Sequence, residues 1–154
     1  MLRESINEGL KTAMKAGDKR RVSTLRLINS SFKNADIEAR GLSKGELNEK
    51  DLHSVLQKMI KQRQESLEIY EKAGRDELAT QEREEIEIIT SYLPQQMSDM
   101  EAGSAIAAIV REIKAESLKD MGRTMAALKE RFAGKMDFSK ASAKVKDLLS
   151  GSSS

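Results

Sequence analysis

The chain contains no cysteine and no tryptophan, and only one proline and one histidine among its 154 residues. The missing cysteines exclude disulfide bonds, thiolate metal sites and a thiol nucleophile. Aromatic residues make up only 3% of the chain, and strands favour β-branched and aromatic residues, so the composition argues against a β-sheet. The lone histidine, His53, cannot hold a metal by itself, and we interpret it as a surface or capping residue.

Long apolar runs and targeting signals are also missing. No run approaches the roughly 20 apolar residues that a membrane-spanning helix needs, and the first residues lack the basic-then-apolar pattern of a signal peptide. We therefore expect a soluble, cytoplasmic protein without membrane contact. No phosphate-binding loop, nucleophile elbow or dinucleotide-binding turn occurs, so we expect no catalytic residues, no cofactor and no metal.

The sequence does contain apolar residues at helical spacing. Charged residues, which make up 34% of the chain, lie between them. Asp18, Asn48 and Ser98 stand at predicted helix starts, and Pro94 ends the fourth helix. The pattern predicts an all-α protein, with an N-terminal bundle of long antiparallel helices followed by a small C-terminal three-helix lobe. The predicted divisions are 1–94 for the bundle, 95–150 for the lobe and 151–154 for a disordered tail.

Positive charge is concentrated near the C-terminus. Residues 1–94 contain 17 basic and 17 acidic residues, whereas residues 117–150 contain 8 basic and 4 acidic ones. This excess favours the C-terminal lobe as the place for an anionic partner. The candidate phosphate-binding residues are Lys119, Arg123, Lys129, Arg131 and Lys135. Of the neighbouring glycines, we expect Gly122 to permit close helix packing and Gly134 to end a helix.

Charges of the N-terminal lobe have a structural interpretation. The polar runs 19–21 and 61–66 are expected to pair with the acidic fourth helix rather than bind a ligand. Arg26, between two leucines, is expected to be half-buried and paired with a carboxylate. The carboxylates of the fourth helix are expected to form a solvated, paired face rather than an active site. They are Glu82, Glu84, Glu85 and Glu87.

Five segments resemble the YqeY-like proteins, and the resemblance covers nearly the whole chain, from Met1 to about Leu149. The segments are STLRLI at 23–28, IKQRQES at 60–66, EKAGR at 71–75, YLPQQ at 92–96 and KDMG at 119–122. That family is similar to the tail domain of the B subunit of aspartyl/glutamyl-tRNA amidotransferase, a carbon–nitrogen ligase that uses glutamine as amido donor. There the tail contacts tRNA, and the chemistry lies on other domains and subunits.

The resemblance implies a tRNA-binding accessory module that has tRNA or a tRNA-charging or amidation complex as its partner and is not an enzyme by itself. The alternative is a protein–protein interaction module without RNA contact, docking through exposed methionines, although methionine also fills small cores. The methionines concerned are Met97, Met100, Met121, Met125 and Met136. A stand-alone enzyme acting on an amide ranks last, because no nucleophile and base are grouped in the sequence.

Overall fold

The computed structural model describes residues 1–150, and within that range the chain forms seven α-helices, one 3-10 turn and no strand. The predicted all-α class is confirmed. The helices are α1 (Leu2–Ala16), α2 (Lys19–Gly41), α3 (Glu49–Lys72), α4 (Asp76–Thr90), α5 (Asp99–Glu112), α6 (Met121–Phe132) and α7 (Phe138–Leu149), and the 3-10 turn (Leu118–Asp120) precedes α6.

The chain divides into two compact units between Leu93 and Pro94. Pro94, which the sequence placed at the end of the first lobe, therefore belongs to the second unit. The predicted disordered tail at 151–154 lies outside the described residues. No described helix is long and apolar enough to cross a membrane.

The N-terminal unit is built around α2, which packs against α1, α3 and α4. Short turns join α1 to α2 and α3 to α4, so each pair forms a helical hairpin. The buried face of α2 carries Leu25, Ile28 and Phe32, and it meets Leu56 of α3 and Ile89 of α4. Each of these side chains contributes roughly 1.5–3 kcal/mol by leaving water, which is what holds the two hairpins together.

Helix ends follow the predicted capping residues. The Asp18 carboxylate accepts a hydrogen bond from the Arg21 amide at 3.1 Å, and Asn48 and Asp51 form a reciprocal capping box at 2.9 and 3.0 Å. Gly17 adopts φ 69°, a left-handed conformation that ends α1. Helix α4 ends at Thr90, before the Pro94 that the sequence placed at its end.

The C-terminal unit is a three-helix arrangement of α5, α6 and α7 around its own core. Ser98 and Glu101 form the predicted capping box of α5, and the Asp137 carboxylate caps α7, which the sequence analysis did not identify. Met136 is buried in this core, and Met97, Met121 and Met125 pack against it. These methionines fill the core, whereas Met100 is 83% exposed.

Candidate nucleic-acid interface

Arg123, one of the five predicted phosphate contacts, holds the loop before α6 instead. Its Nη1 donates to the Ile113 carbonyl at 2.7 Å, and its Nη2 donates to the Asp120 carboxylate at 3.2 Å. Asp120 also accepts hydrogen bonds from the backbone amides of Glu116 and Ser117, and these bonds, together with Arg123, lower its pKa. Both ends of the guanidinium are therefore occupied, and the residue connects the end of α5 to the start of α6.

Arg131 is also engaged within the protein. Its two terminal nitrogens donate to the two carboxylate oxygens of Glu112 at 2.6 and 2.5 Å, a bidentate pair between α6 and α5. The hydrogen bonds to Arg131 lower the pKa of Glu112 and raise the pKa of Arg131. An RNA phosphate would have to compete with this carboxylate for the guanidinium, so Arg131 is a weaker candidate than the lysines.

The three predicted lysines are available to an anion. Lys119, Lys129 and Lys135 are exposed, and none of them forms an ion pair within residues 1–150. They are divided between the two ends of α6: Lys119 lies in the 3-10 turn before this helix, and the other two lie at and beyond its C-terminal end. Since twelve helical residues span about 18 Å, the five predicted residues do not converge on one compact site.

The backbone that carries Lys135 is fixed by contacts to the segment before α5. Gln96 Nε2 donates to the Gly134 carbonyl at 2.5 Å, and the Met97 amide donates to the Lys135 carbonyl at 2.9 Å. Gly134 has φ 76°, as expected for the glycine that closes α6. The expectation for Gly122 is wrong, because a side chain added there would meet no atom within 4 Å.

Other lysines of the C-terminal unit share the properties of the three predicted ones. They are exposed, form no ion pair in the described part of the unit, and comprise Lys114, Lys140, Lys144 and Lys146. Lys114 has φ 54° in the loop after α5, and the ammonium of Lys144 lies over α5, 3.0 Å from where a Gly103 side chain would begin. The α7 lysines were already part of the excess of basic residues between 117 and 150. They were not named as phosphate contacts because the prediction favoured basic residues in loops next to helix starts.

In the N-terminal unit, one arginine of each polar run pairs with a glutamate of α4, as predicted for these runs. Arg63 Nε donates to Glu85 at 2.9 Å, Gln81 donates to the same carboxylate at 3.1 Å, and Arg20 Nε donates to Glu84 at 2.9 Å. Glu85 is 7% exposed and Arg63 15%, so this pair is buried, contrary to the expected solvated face. Burial and the neighbouring Glu85 charge raise the pKa of Glu82.

Two expectations for this unit are wrong. Arg26 is exposed and makes no ion pair in the described residues, because it points away from the buried face of α2 formed by Leu25 and Ile28. His53 is half-buried in α3 rather than at the surface or in a cap, and its Nδ1 finds no hydrogen-bond partner within residues 1–150. Over the same residues no three histidine, aspartate or glutamate side chains are grouped in a way that could hold a metal ion.

These features define a small all-helical protein with a helical bundle, a second helical unit and a lysine-rich surface. The chain belongs to the YqeY-like proteins, since the family model described as "Yqey-like protein" matches residues 3–149.

Curated relatives carry the name "Altered inheritance of mitochondria protein 41, mitochondrial". The relative from Lachancea thermotolerans is 37% identical over 112 residues, which are 71% of this chain and 58% of that protein. The relative from Clavispora lusitaniae is 36% identical over 116 residues, 74% of this chain and 65% of that protein. The relative from Candida glabrata is 35% identical over 89 residues, 58% of this chain and 48% of that protein. The chain thus spans about half to two thirds of the length of these relatives.

The predicted cytoplasmic location is contradicted by these names, which describe mitochondrial proteins. The prediction failed because a lack of cysteine and of a secretory pattern does not distinguish one reducing compartment from another. Neither the family description nor these names state an enzymatic activity.

Proposed function

We propose that the chain is a tRNA-binding accessory module, related to the tail of the glutamine-dependent tRNA amidotransferase and without chemistry of its own. The observation that carries the proposal is a set of seven exposed lysines in the C-terminal unit that form no ion pair in residues 94–150. They are Lys114, Lys119, Lys129, Lys135, Lys140, Lys144 and Lys146. The likeness of the YqeY-like family to the amidotransferase tail supports tRNA as the anion.

Lysine is suited to this role because its ammonium group binds phosphate oxygens as a point charge and carries no sequence information. The aromatic side chains of this unit, Phe132 and Phe138, pack against the core and are not available for stacking on bases. The proposed binding therefore depends on the phosphate backbone and on tRNA shape. It should weaken steeply as salt rises, because each neutralised phosphate releases counterions.

The test is a titration of labelled total tRNA with the full chain at several salt concentrations. Lys119→Glu combined with Lys135→Glu is expected to weaken binding and to lower the salt dependence of the affinity. Each lost phosphate contact should lower the slope of log K against log salt by about 0.7–0.9. The matched control is Lys58→Glu with Arg75→Glu, which reverses two exposed cations of the N-terminal unit. An unchanged slope in the first variant would contradict the lysine assignment.

The alternative remains an interaction module that binds a protein and no RNA. Four of the five methionines proposed as its docking residues lie in or against the C-terminal core, which leaves Met100 as the exposed one. We therefore place the RNA function first. If the wild-type chain bound no tRNA even at low salt, a protein partner would become the better proposal.

A further inference from the structure

The outward face of α2 carries cations at a regular interval of seven residues. Lys19, Arg26, Lys33 and Arg40 follow one another at this spacing, and all four are exposed. Ser23, Ser30 and Ile37 each lie four residues after one cation and three before the next, so they complete one face of the helix. This face, which we call the α2 stripe, consists of Lys19, Ser23, Arg26, Ser30, Lys33, Ile37 and Arg40.

The geometry of a helix keeps these cations in line. Seven residues make nearly two turns, so successive cations lie about 10.5 Å apart along the axis and drift by about 20° around it. From Lys19 to Arg40 the α2 stripe covers about 31 Å. The opposite face of α2 holds Leu25, Ile28 and Phe32 in the core, which fixes the α2 stripe toward solvent.

No carboxylate of the described structure neutralises the α2 stripe. None of its four cations forms an ion pair in residues 1–150, and no acidic residue lies three or four positions from Lys19 or Arg26 along the helix. Asp36, which is within such reach of Lys33 and Arg40, is bound by both terminal nitrogens of Arg3 at 3.1 and 2.7 Å. Glu38 follows Ile37 directly and is therefore rotated by about 100° from it around the axis.

The start of α2 also contradicts the usual placement of charge. After the Asp18 cap, its first turn contains Lys19, Arg20 and Arg21 and no acidic residue, although the N-terminus of a helix favours negative charge. Arg20 and Arg21 have partners in Glu84 and Tyr92, but Lys19 has none in the described residues. Lys19 therefore opposes local helix stability without a compensating partner in the described residues, as a residue kept for an external partner would.

The zero net charge of the N-terminal unit conceals this surface. Helix α2 contains six basic and two acidic residues, whereas α4 contains one basic and six acidic residues. The two helices cancel in the sum but present their charges separately.

We propose that the α2 stripe binds the phosphate backbone of RNA and so forms a second contact surface of the proposed tRNA-binding function, on which the choice of RNA rests. Its side chains are those that contact phosphates in protein–nucleic acid complexes, namely arginine, lysine and serine. A membrane-surface helix would instead direct its apolar face outward, and the apolar face of α2 is buried, with Ile37 the one apolar member of the α2 stripe. The contacts position RNA without reading its bases.

The test replaces Arg26, Lys33 and Arg40 by glutamine in the full chain. The control replaces Lys58, Lys72 and Arg75, three exposed cations outside the α2 stripe, in the same way, so that both variants lose three positive charges. Circular dichroism verifies that each variant is folded. Affinities for labelled tRNA, for a labelled RNA duplex of about 20 base pairs and for vesicles with phosphatidylserine are then measured at three salt concentrations.

We expect the α2 stripe variant to bind the duplex at least about tenfold more weakly at low salt, with a slope of log K against log salt smaller by about 2–3. The control should stay within about twofold of the wild type. A wild-type slope in the α2 stripe variant would overturn the inference, as would an effect on vesicles and none on RNA. Failure of the wild type to bind tRNA, with duplex binding through the α2 stripe intact, would refute the proposed function alone. Absence of binding to either RNA would refute both.

Discussion

The buried ion pair between α3 and α4 allows a quantitative prediction, because a matched exposed pair exists in the same unit. Glu85 is 7% exposed and bonded to Arg63, whereas Glu84 is 48% exposed and bonded to Arg20. Both glutamates lie in α4 and both accept a hydrogen bond of 2.9 Å from an arginine Nε. Substitution of either one by alanine removes the same chemical group from the same helix, so differences in helix propensity cancel.

The expected magnitudes differ because of burial. Removal of one member of a buried ion pair costs roughly 3–5 kcal/mol, since the other charge is left without compensation. Arg63 keeps a hydrogen bond of 3.1 Å to the Met59 carbonyl and is 15% exposed, which places Glu85→Ala at or just below the low end of this range, about 2–3 kcal/mol. The exposed pair contributes at most about 1 kcal/mol, so Glu84→Ala should cost less than that.

Urea unfolding followed by tyrosine fluorescence measures these free energies in the N-terminal unit alone. The chain has two tyrosines, Tyr70 and Tyr92, both within residues 1–93, and no tryptophan. The reasoning would be refuted if the two variants differed by less than about 1 kcal/mol, well under the gap expected between buried and exposed pairs. As a further check, Arg63→Met combined with Glu85→Leu should recover most of the stability, because a well-packed apolar pair can replace a buried ion pair.

Three further predictions concern other carboxylates and caps. The raised pKa of Glu82 means that the folded state binds the Glu82 proton more tightly than the unfolded state, so this residue lowers stability as the pH rises above about 4.5. The stability of Glu82→Gln relative to the wild type should therefore increase between pH 4 and pH 7. Equal stability differences at both pH values would contradict this. The pKa of Asp120 is lowered, so its ionised carboxylate stabilises the folded state, and this stabilisation is lost as the pH falls below 3.8. Asp120→Asn should therefore make the stability of the C-terminal unit less sensitive to acid, which the amide signals of that unit in NMR spectra would report. Ser98→Ala should cost about 1 kcal/mol through the lost capping box and speed amide exchange in α5, whereas unchanged exchange would show that the cap contributes nothing.

Local signals in the sequence determined much of the fold. The all-α class followed from helical periodicity and from the scarcity of aromatic residues, and the caps at Asp18, Asn48 and Ser98 are formed as their side chains predicted. Such interactions reach only three or four residues along the chain, which is why a sequence pattern reveals them. The Asp137 cap of α7 was not among the predicted helix starts.

Interactions between helices were not predictable in the same way. Pairing of the 61–66 run with α4 was expected, but whether its one arginine, Arg63, would be buried depends on the rotation of α3 against α4. The same limit applies to Arg131, which the sequence offered as a phosphate contact and which the structure pairs with Glu112 of α5. Arg123 was missed for another reason, because its carboxylate partner Asp120 lies in the same short segment. An arginine near a glycine and a helix start has the same pattern whether its partner is external or one turn away.

The α2 stripe shows that charge must be resolved by helix face before it is summed by domain. The sum over residues 1–94 is zero, so the charge summed by lobe favoured the C-terminal lobe as the place for an anionic partner. It arises because α4 carries the carboxylates that α2 lacks, while Arg20 and Glu84 account for one pair between the two helices. A seven-residue interval among cations is visible in the sequence, but its meaning depends on which face of the helix is buried. Once Leu25, Ile28 and Phe32 are known to face the core, the interval places four cations on one solvent-facing line, and such a line matches the charge spacing of a polyanion better than a single phosphate.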